Sequence, residues 1–155
     1  MESFVWFVTL LALASAEKIA FKPCPGDNLG QATSVELSPC PSQPCTFSHG
    51  STVTVVIEFT AVNDSTVLDS RVYGIVETVP VEFPLPNGDG CKDSGIACPL
   101  VKGQSYKYTS SFPVLNTYPV ISLVVMWKLQ AISGNLVCFT FPLSITRSSD
   151  TSVVG

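Results

Sequence analysis

The chain has 155 residues and a formal net charge of −4, with 13% charged residues against 46% hydrophobic ones. That length fits one domain, and lysines and arginines scattered singly form no basic patch, which excludes nucleic acid as a partner. Sparse charge beside so much apolar surface implies burial in a core, cover over a ligand, or contact with a partner.

Phe4 to Ala14 is an apolar run too short to span a bilayer. It ends at Ala14-Ser15-Ala16, the small-x-small form of a signal-peptidase site. Residues 1–16 therefore read as a secretory leader, 17–147 as the domain and 148–155 as a polar tail. Cleavage removes only Glu2 among the charged residues, which takes the net charge from −4 to −3. No second long apolar run follows, so a soluble, secreted product is expected.

Ile19 to Lys22 reads as a short strand leading to Cys24, and Pro25 to Gln31 as a loop rich in glycine, proline and asparagine. Thr33 to Ser38 alternates, with Val35 and Leu37 on one face, until Pro39 and the Cys40–Cys45 segment stop it. Ser51 to Thr60 is the clearest strand. Val53, Val55, Ile57 and Phe59 share one face, and Thr52, Thr54, Glu58 and Thr60 the other. Asn63-Asp64-Ser65 is a turn and an N-glycosylation sequon at Asn63. Val67 to Val79 reads as one long strand, in which Gly74 marks a bulge or the close approach of a ligand.

The next stretch is unusual. Pro80, Pro84 and Pro86 remove three donors in seven residues, which excludes a central strand. Yet Val79, Val81, Phe83 and Leu85 make the stretch too apolar for a solvated loop. Gly88 and Gly90 then allow a turn, and Cys91 and Cys98 close a short loop. A rigid, apolar, non-strand segment suits either the rim of a hydrophobic pocket or a cover over one end of a core. Beyond it, Gln104 to Phe112 alternates polar residues with Tyr106 and Tyr108, and Pro113 to Pro119 breaks the pattern. Val120 to Ala131 alternates again, with Ile121, Leu123, Val125, Trp127 and Leu129 on one face. Ser133-Gly134-Asn135 is a hairpin turn, and Leu136 to Thr146 closes the sheet. About seven short strands with no helical period predict an all-β, immunoglobulin-like sandwich without the cysteine spacing of antibody domains.

Six cysteines behind a secretory leader imply three disulfides, for which fifteen pairings exist. Cys40–Cys45 and Cys91–Cys98 are natural short loops, which leaves Cys24–Cys138 to join the first strand to the last. By loop entropy that bridge contributes roughly 4–5 kcal/mol, and each short one about 2–3. No Cys-x-x-Cys pair occurs and His49 is the sole histidine, so no metal site is expected.

Catalytic signatures are sparse. His49 lies in the Phe47-Ser48-His49-Gly50-Ser51 turn and reads as an ordinary turn histidine. No Gly-x-Ser-x-Gly elbow or glycine-rich phosphate loop appears. Asp89 and Asp93 read as solvated turn residues, and the cysteines are committed to bridges. The residue types suit no enzyme and no cofactor. They suit a carrier holding an apolar ligand between sheets, or an interaction module with an apolar face.

Several segments together resemble one family. These are Phe21-Lys22-Pro23-Cys24; Ser38-Pro39-Cys40-Pro41-Ser42-Gln43-Pro44-Cys45; Val79-Pro80-Val81-Glu82-Phe83-Pro84 with Asp89-Gly90-Cys91-Lys92 and Gly95-Ile96-Ala97-Cys98-Pro99; Pro113-Val114 with Tyr118-Pro119; and Leu123 through Gln130. They resemble the Niemann–Pick type C-two sterol carriers (epididymal secretory proteins) of the MD-two-related lipid-recognition, or ML, domain family. The resemblance covers essentially all of the mature chain. It implies a seven-strand immunoglobulin-like sandwich, an apolar pocket between the sheets and the same three disulfides. Phe83, Val114 and Tyr118 match residues at the family's pocket mouth, and Trp127 and Phe139 match residues that line or back the pocket. Val81, Val55 and Phe59 complete the candidate ligand-binding set. The implied ligand is a sterol, with its hydroxyl near the mouth and its tail inside. It would be carried by a secreted or lysosomal monomer to a membrane or a membrane sterol-acceptor protein. Relatives that carry fatty acids or semiochemicals, or recognise bacterial lipids in immunity, supply the alternative. Two departures stand out: Phe139 replaces an expected tryptophan, and Glu82 replaces an expected proline, placing a carboxylate beside the presumed mouth.

Overall fold

The computed structural model describes residues 17–26 and 28–148. The leader read at residues 1–16, and the tail beyond Ser148, lie outside them. Alternating apolar residues dictate most of the architecture, because each strand can bury only one face. Among the described residues ten strands form: β1 (Glu17–Lys18), β2 (Lys22–Pro23), β3 (Ala32–Ser38), β4 (Cys45–Ser48), β5 (Thr52–Thr60), β6 (Asp69–Val76), β7 (Val79–Phe83), β8 (Ser105–Pro113), β9 (Ser122–Ala131) and β10 (Gly134–Thr146). The described residues contain no helix. The first sheet has the order β1-β3-β5-β8. The second runs β2-β10-β9-β6-β7, with β4 added parallel to β10. The count exceeds seven because two two-residue ladders, β1 and β2, stand in place of the one short strand expected at Ile19 to Lys22, β4 is a short addition, and β7 forms where no strand was expected.

Residues from both sheets meet in one core. Val53, Val55, Ile57 and Phe59 of β5 are buried, as their period of two requires, and they face Trp127 and Leu129 of β9 and Phe139 and Phe141 of β10 within that core. The disulfides are Cys24–Cys138, Cys40–Cys45 and Cys91–Cys98, the pairing expected from loop length.

Two readings of the chain are corrected here. Val67 to Val79 is not one strand: β6 ends at Val76, and Glu77-Thr78 turns the chain so that Val76 pairs with Val79. Val79–Phe83 is itself a strand, despite Pro80. It lies at the edge of the second sheet and pairs only with β6, a place where a missing N–H is tolerated. The hairpin was hidden because its two turn residues are neither glycine nor asparagine, the usual occupants of such a turn.

That turn is also strained. Glu77 and Thr78 adopt φ of 49° and 74°, a region that costs a non-glycine residue about 1–3 kcal/mol and that β-branched residues such as threonine seldom enter. Replacing Glu77-Thr78 with Asn-Gly should raise the unfolding free energy by about 1–2 kcal/mol, read by urea denaturation. An unchanged or lower midpoint would show that the turn stores no such strain.

Candidate functional site

Cross-strand partners share a face, so the register of the second sheet defines rows of side chains pointing into the sandwich. Phe83, Val72, Trp127 and Phe139 form one row, and Val81, Gly74, Val125 and Phe141 the next. Between the sheets, beside these rows, lies a cavity of about 230 Å³. Val72, Leu123, Val125 and Leu143 of the second sheet form one wall. Phe112 and Pro113 at the end of β8, followed by Val114 and Leu115, form the other. Phe83 and the following Pro84-Leu85-Pro86, with Tyr118, complete the lining, and Phe47 and Ile145 close it. Every lining side chain is apolar except for the phenol of Tyr118.

Phe83 and Tyr118 meet edge to face, with ring centroids 5.1 Å apart and planes at 75°. Both are half-buried. Desolvation pushes the Tyr118 phenol above the ordinary tyrosine value of 10.0, so it stays neutral and keeps a proton to donate. Val114 is buried beside them. The three residues expected at a pocket mouth from chain segments far apart thus converge on one cavity.

Gly74 explains how Phe83 gets there. A Cβ at this position would lie 2.8 Å from Leu123 Cδ1 and closer still to Phe83 Cε2. The Phe83 ring therefore rests on bare backbone. No bulge occurs, since β6 keeps an unbroken register with β7 and β9. The close approach anticipated at Gly74 is made by the chain's own aromatic ring.

Other expected site residues fall elsewhere. Trp127 is fully buried behind Phe112, at 5.9 Å between ring centroids, and backs the cavity without lining it. Phe139 packs edge to face on Phe21 at 5.5 Å and stacks with Phe141 at 6.0 Å, in the core away from the lining. Val55 and Phe59 belong to the core face of β5, where Phe59 stacks on Tyr106. Val81 lies in the inward row but is 47% exposed, because β7 is the edge strand. Glu82 does not approach the mouth. It sits in register with Tyr73 on the opposite face and reaches Arg71 at 3.3 Å. Asn63, the sequon residue, bonds Ser133 Oγ at 3.4 Å, beyond the end of β9 opposite to Leu123 and the cavity.

One polar device behind the cavity had gone unread. Ser70 Oγ accepts hydrogen bonds from Trp127 Nε1 at 2.9 Å and from the Tyr108 hydroxyl at 2.8 Å, and Ser70 is only 4% exposed. The serine ties one ring from each sheet together across the core. Its signal in the sequence is phase alone: Ser70 falls in step with Val72 and Gly74, the inward positions of β6. Among the described residues, no group of three or more histidine, cysteine, aspartate or glutamate side chains could hold a metal ion.

Comparison with known proteins agrees with this geometry. A family profile described as the ML domain matches residues 18–145. The mouse protein named NPC intracellular cholesterol transporter 2 is 42% identical over 143 residues, covering 92% of this chain and 95% of that one. The NPC intracellular cholesterol transporter 2 homolog a of Drosophila melanogaster is 36% identical over 133 residues, covering 84% and 89%. The crystal structure of a Niemann–Pick type C2 protein from the Japanese carpenter ant superposes with a TM-score of 0.76 at 30% identity, covering 83% of this chain and all of that one.

Replacing Ser70 with alanine leaves a buried hydroxyl and a buried indole N–H without their acceptor. At about 1–3 kcal/mol for each unsatisfied group, the variant should lose about 2–6 kcal/mol of stability in urea denaturation. A loss below about 0.5 kcal/mol, smaller than one net hydrogen bond, would remove the serine from its bridging role.

Proposed function

This chain belongs to the ML domain family, and we propose that it is a lipid carrier that takes a sterol into the cavity between its sheets and delivers it to a membrane or a membrane-bound acceptor. The observation that carries the reading is an all-apolar cavity with a single phenol at its mouth, in a chain similar to cholesterol transporters over most of its length. Apolar area removed from water favours binding by roughly 25 cal/mol per Å², and such a site needs few polar groups. The neutral Tyr118 phenol is placed to meet a sterol hydroxyl while the ring system lies against Val72, Val125 and Leu143.

A volume of about 230 Å³ is less than the roughly 300–1,000 Å³ of pockets that bury drug-sized ligands. Ligand entry therefore widens the cavity, and the half-buried Phe83 and Tyr118 at the mouth are the rings free to part. Exposed Val79 and Val81 on β7, and Leu115 and Val120 on the loop that bears Tyr118, give the frame of the mouth an apolar surface for delivery. In this reading the protein is a monomer that binds and releases without chemical change. It is secreted after loss of residues 1–16. A glycan at Asn63 would sit at the end of β9 away from the cavity and leave the mouth clear.

Organic extraction of the secreted, oxidised protein followed by lipid mass spectrometry should recover a sterol, and a fluorescent sterol should bind saturably. Phe83→Ala removes up to about 1.5–3 kcal/mol of apolar contact and should weaken that binding about tenfold or more. Gly74→Ala, which displaces the Phe83 ring, should act in the same direction. Fatty acid alone in the extract would move the ligand class, and no lipid of any kind would sink the carrier reading.

A further inference from the structure

The loop that bears the mouth is fastened unevenly. At its start, Val114 exchanges two backbone hydrogen bonds with the turn after β4, from Gly50 N to Val114 O and from Val114 N to Ser51 O, both 2.8 Å. At its end, Ile121 accepts a bond from Ile145 N on β10 at 2.9 Å. Between these anchors stand Leu115 and Tyr118, joined only to each other by a bond from Tyr118 N to Leu115 O at 3.0 Å. Among the described residues one hydrogen bond from outside reaches this middle stretch: His49 Nε2 lies 2.8 Å from the backbone carbonyl of Tyr118, across 69 residues of sequence. The turn that presents His49 is itself fixed, with His49 N bonded to Thr146 O at 2.9 Å and Ser51 N to Ser48 O at 3.1 Å.

We propose that His49 is the positioning residue of the cavity mouth, a latch that holds the Tyr118 backbone and through it the Tyr118 ring against Phe83. A carbonyl can only accept, so the bond requires a proton on Nε2 and selects that tautomer. Protonation of the ring leaves this donor in place, so the latch persists in either charge state. Loss of the donor frees the middle of the loop while both anchors remain, and the edge-to-face contact at 5.1 Å is then held by ring packing alone. The effect on lipid rests on the carrier reading; the effect on the loop does not.

The test separates the two. His49→Phe keeps a ring and removes the donor, His49→Ala removes both, and His49→Gln returns an N–H donor at nearly the same reach. Amide hydrogen exchange is measured on the lipid-free protein, and the dissociation rate of a preloaded fluorescent sterol on the loaded one. A net hydrogen bond corresponds to a change of about three- to tenfold. The donorless variants should speed exchange across residues 115–121 and sterol release by about that factor, with the exchange of β5 and β9 unchanged and His49→Gln returned toward wild type. Exchange in 115–121 equal to wild type in both donorless variants overturns the latch, as does a glutamine variant as fast as the phenylalanine one. Faster loop exchange in a protein that binds neither sterol nor fatty acid upholds the latch and overturns the carrier reading instead.

Discussion

Pro80 has no N–H to give, and the second sheet stops at the strand that contains it. A strand of this kind is well tolerated at an edge, and β7 pairs with β6 and with nothing beyond. Pro84 and Pro86 carry the same restriction past the end of β7. The sandwich is thereby left with a border poorly suited to a further strand, and apolar side chains there have no sheet to cover them. Phe83, Leu85 and the loop bearing Val114 and Tyr118 gather over the gap. The cavity is the space that remains when an apolar interior ends at an edge that hydrogen bonding cannot continue. The same missing donor blunts the edge against pairing with another chain.

The interior divides into a part that is filled and a part that is not. Trp127, Tyr108 and Ser70 lock the filled part, because a serine that accepts two hydrogen bonds holds rings from opposite sheets in fixed orientation. Phe112 rests on that assembly and presents its own ring to the cavity. On the other wall, Gly74 lowers the floor by one side chain so that Phe83 can lie flat over β6. A fixed back and a ring seated at the front follow from these two choices of small residue, serine where rings must be joined and glycine where a ring must be seated.

Much of this was legible in the chain. The alternation in residues 52–60 and 122–131 gave a sandwich because a period of two has only one structural meaning. The cysteine spacing gave the bridges because two of the loops are short enough to be self-evident. The mouth residues Phe83, Val114 and Tyr118 were legible through matching motifs, not through pattern, since their neighbourhood is a property of topology. What stayed hidden is instructive. Glu77-Thr78 concealed a hairpin because nothing in its residue types announces φ > 0. Glu82 was misplaced because the side a residue faces depends on register, and one step along β7 turns it from the cavity to Arg71. His49 read as ordinary, and Ser70 drew no reading, because the partner of each is far off in sequence and visible only after folding. Trp127, Phe139, Val55 and Phe59 are apolar and inward, and sequence cannot tell core from cavity wall, because emptiness leaves no residue to read.

The place of β10 in the second sheet has a consequence for how the molecule comes into being. It is the last of the ten strands described, yet it pairs with β2, β4 and β9 and so lies inside its sheet and not at an edge. While the chain is being made, at about 5–20 residues per second, strands β2 and β4 wait for a partner that is still unmade. The first sheet can close early, since β3, β5 and β8 precede that point. The second can begin with β6, β7 and β9 but is not complete until β10 is made, and its β2 and β4 pairings with β10 span most of the chain, the kind of closure that is slow in β proteins. A polypeptide with this order of parts is still open when its last strand arrives.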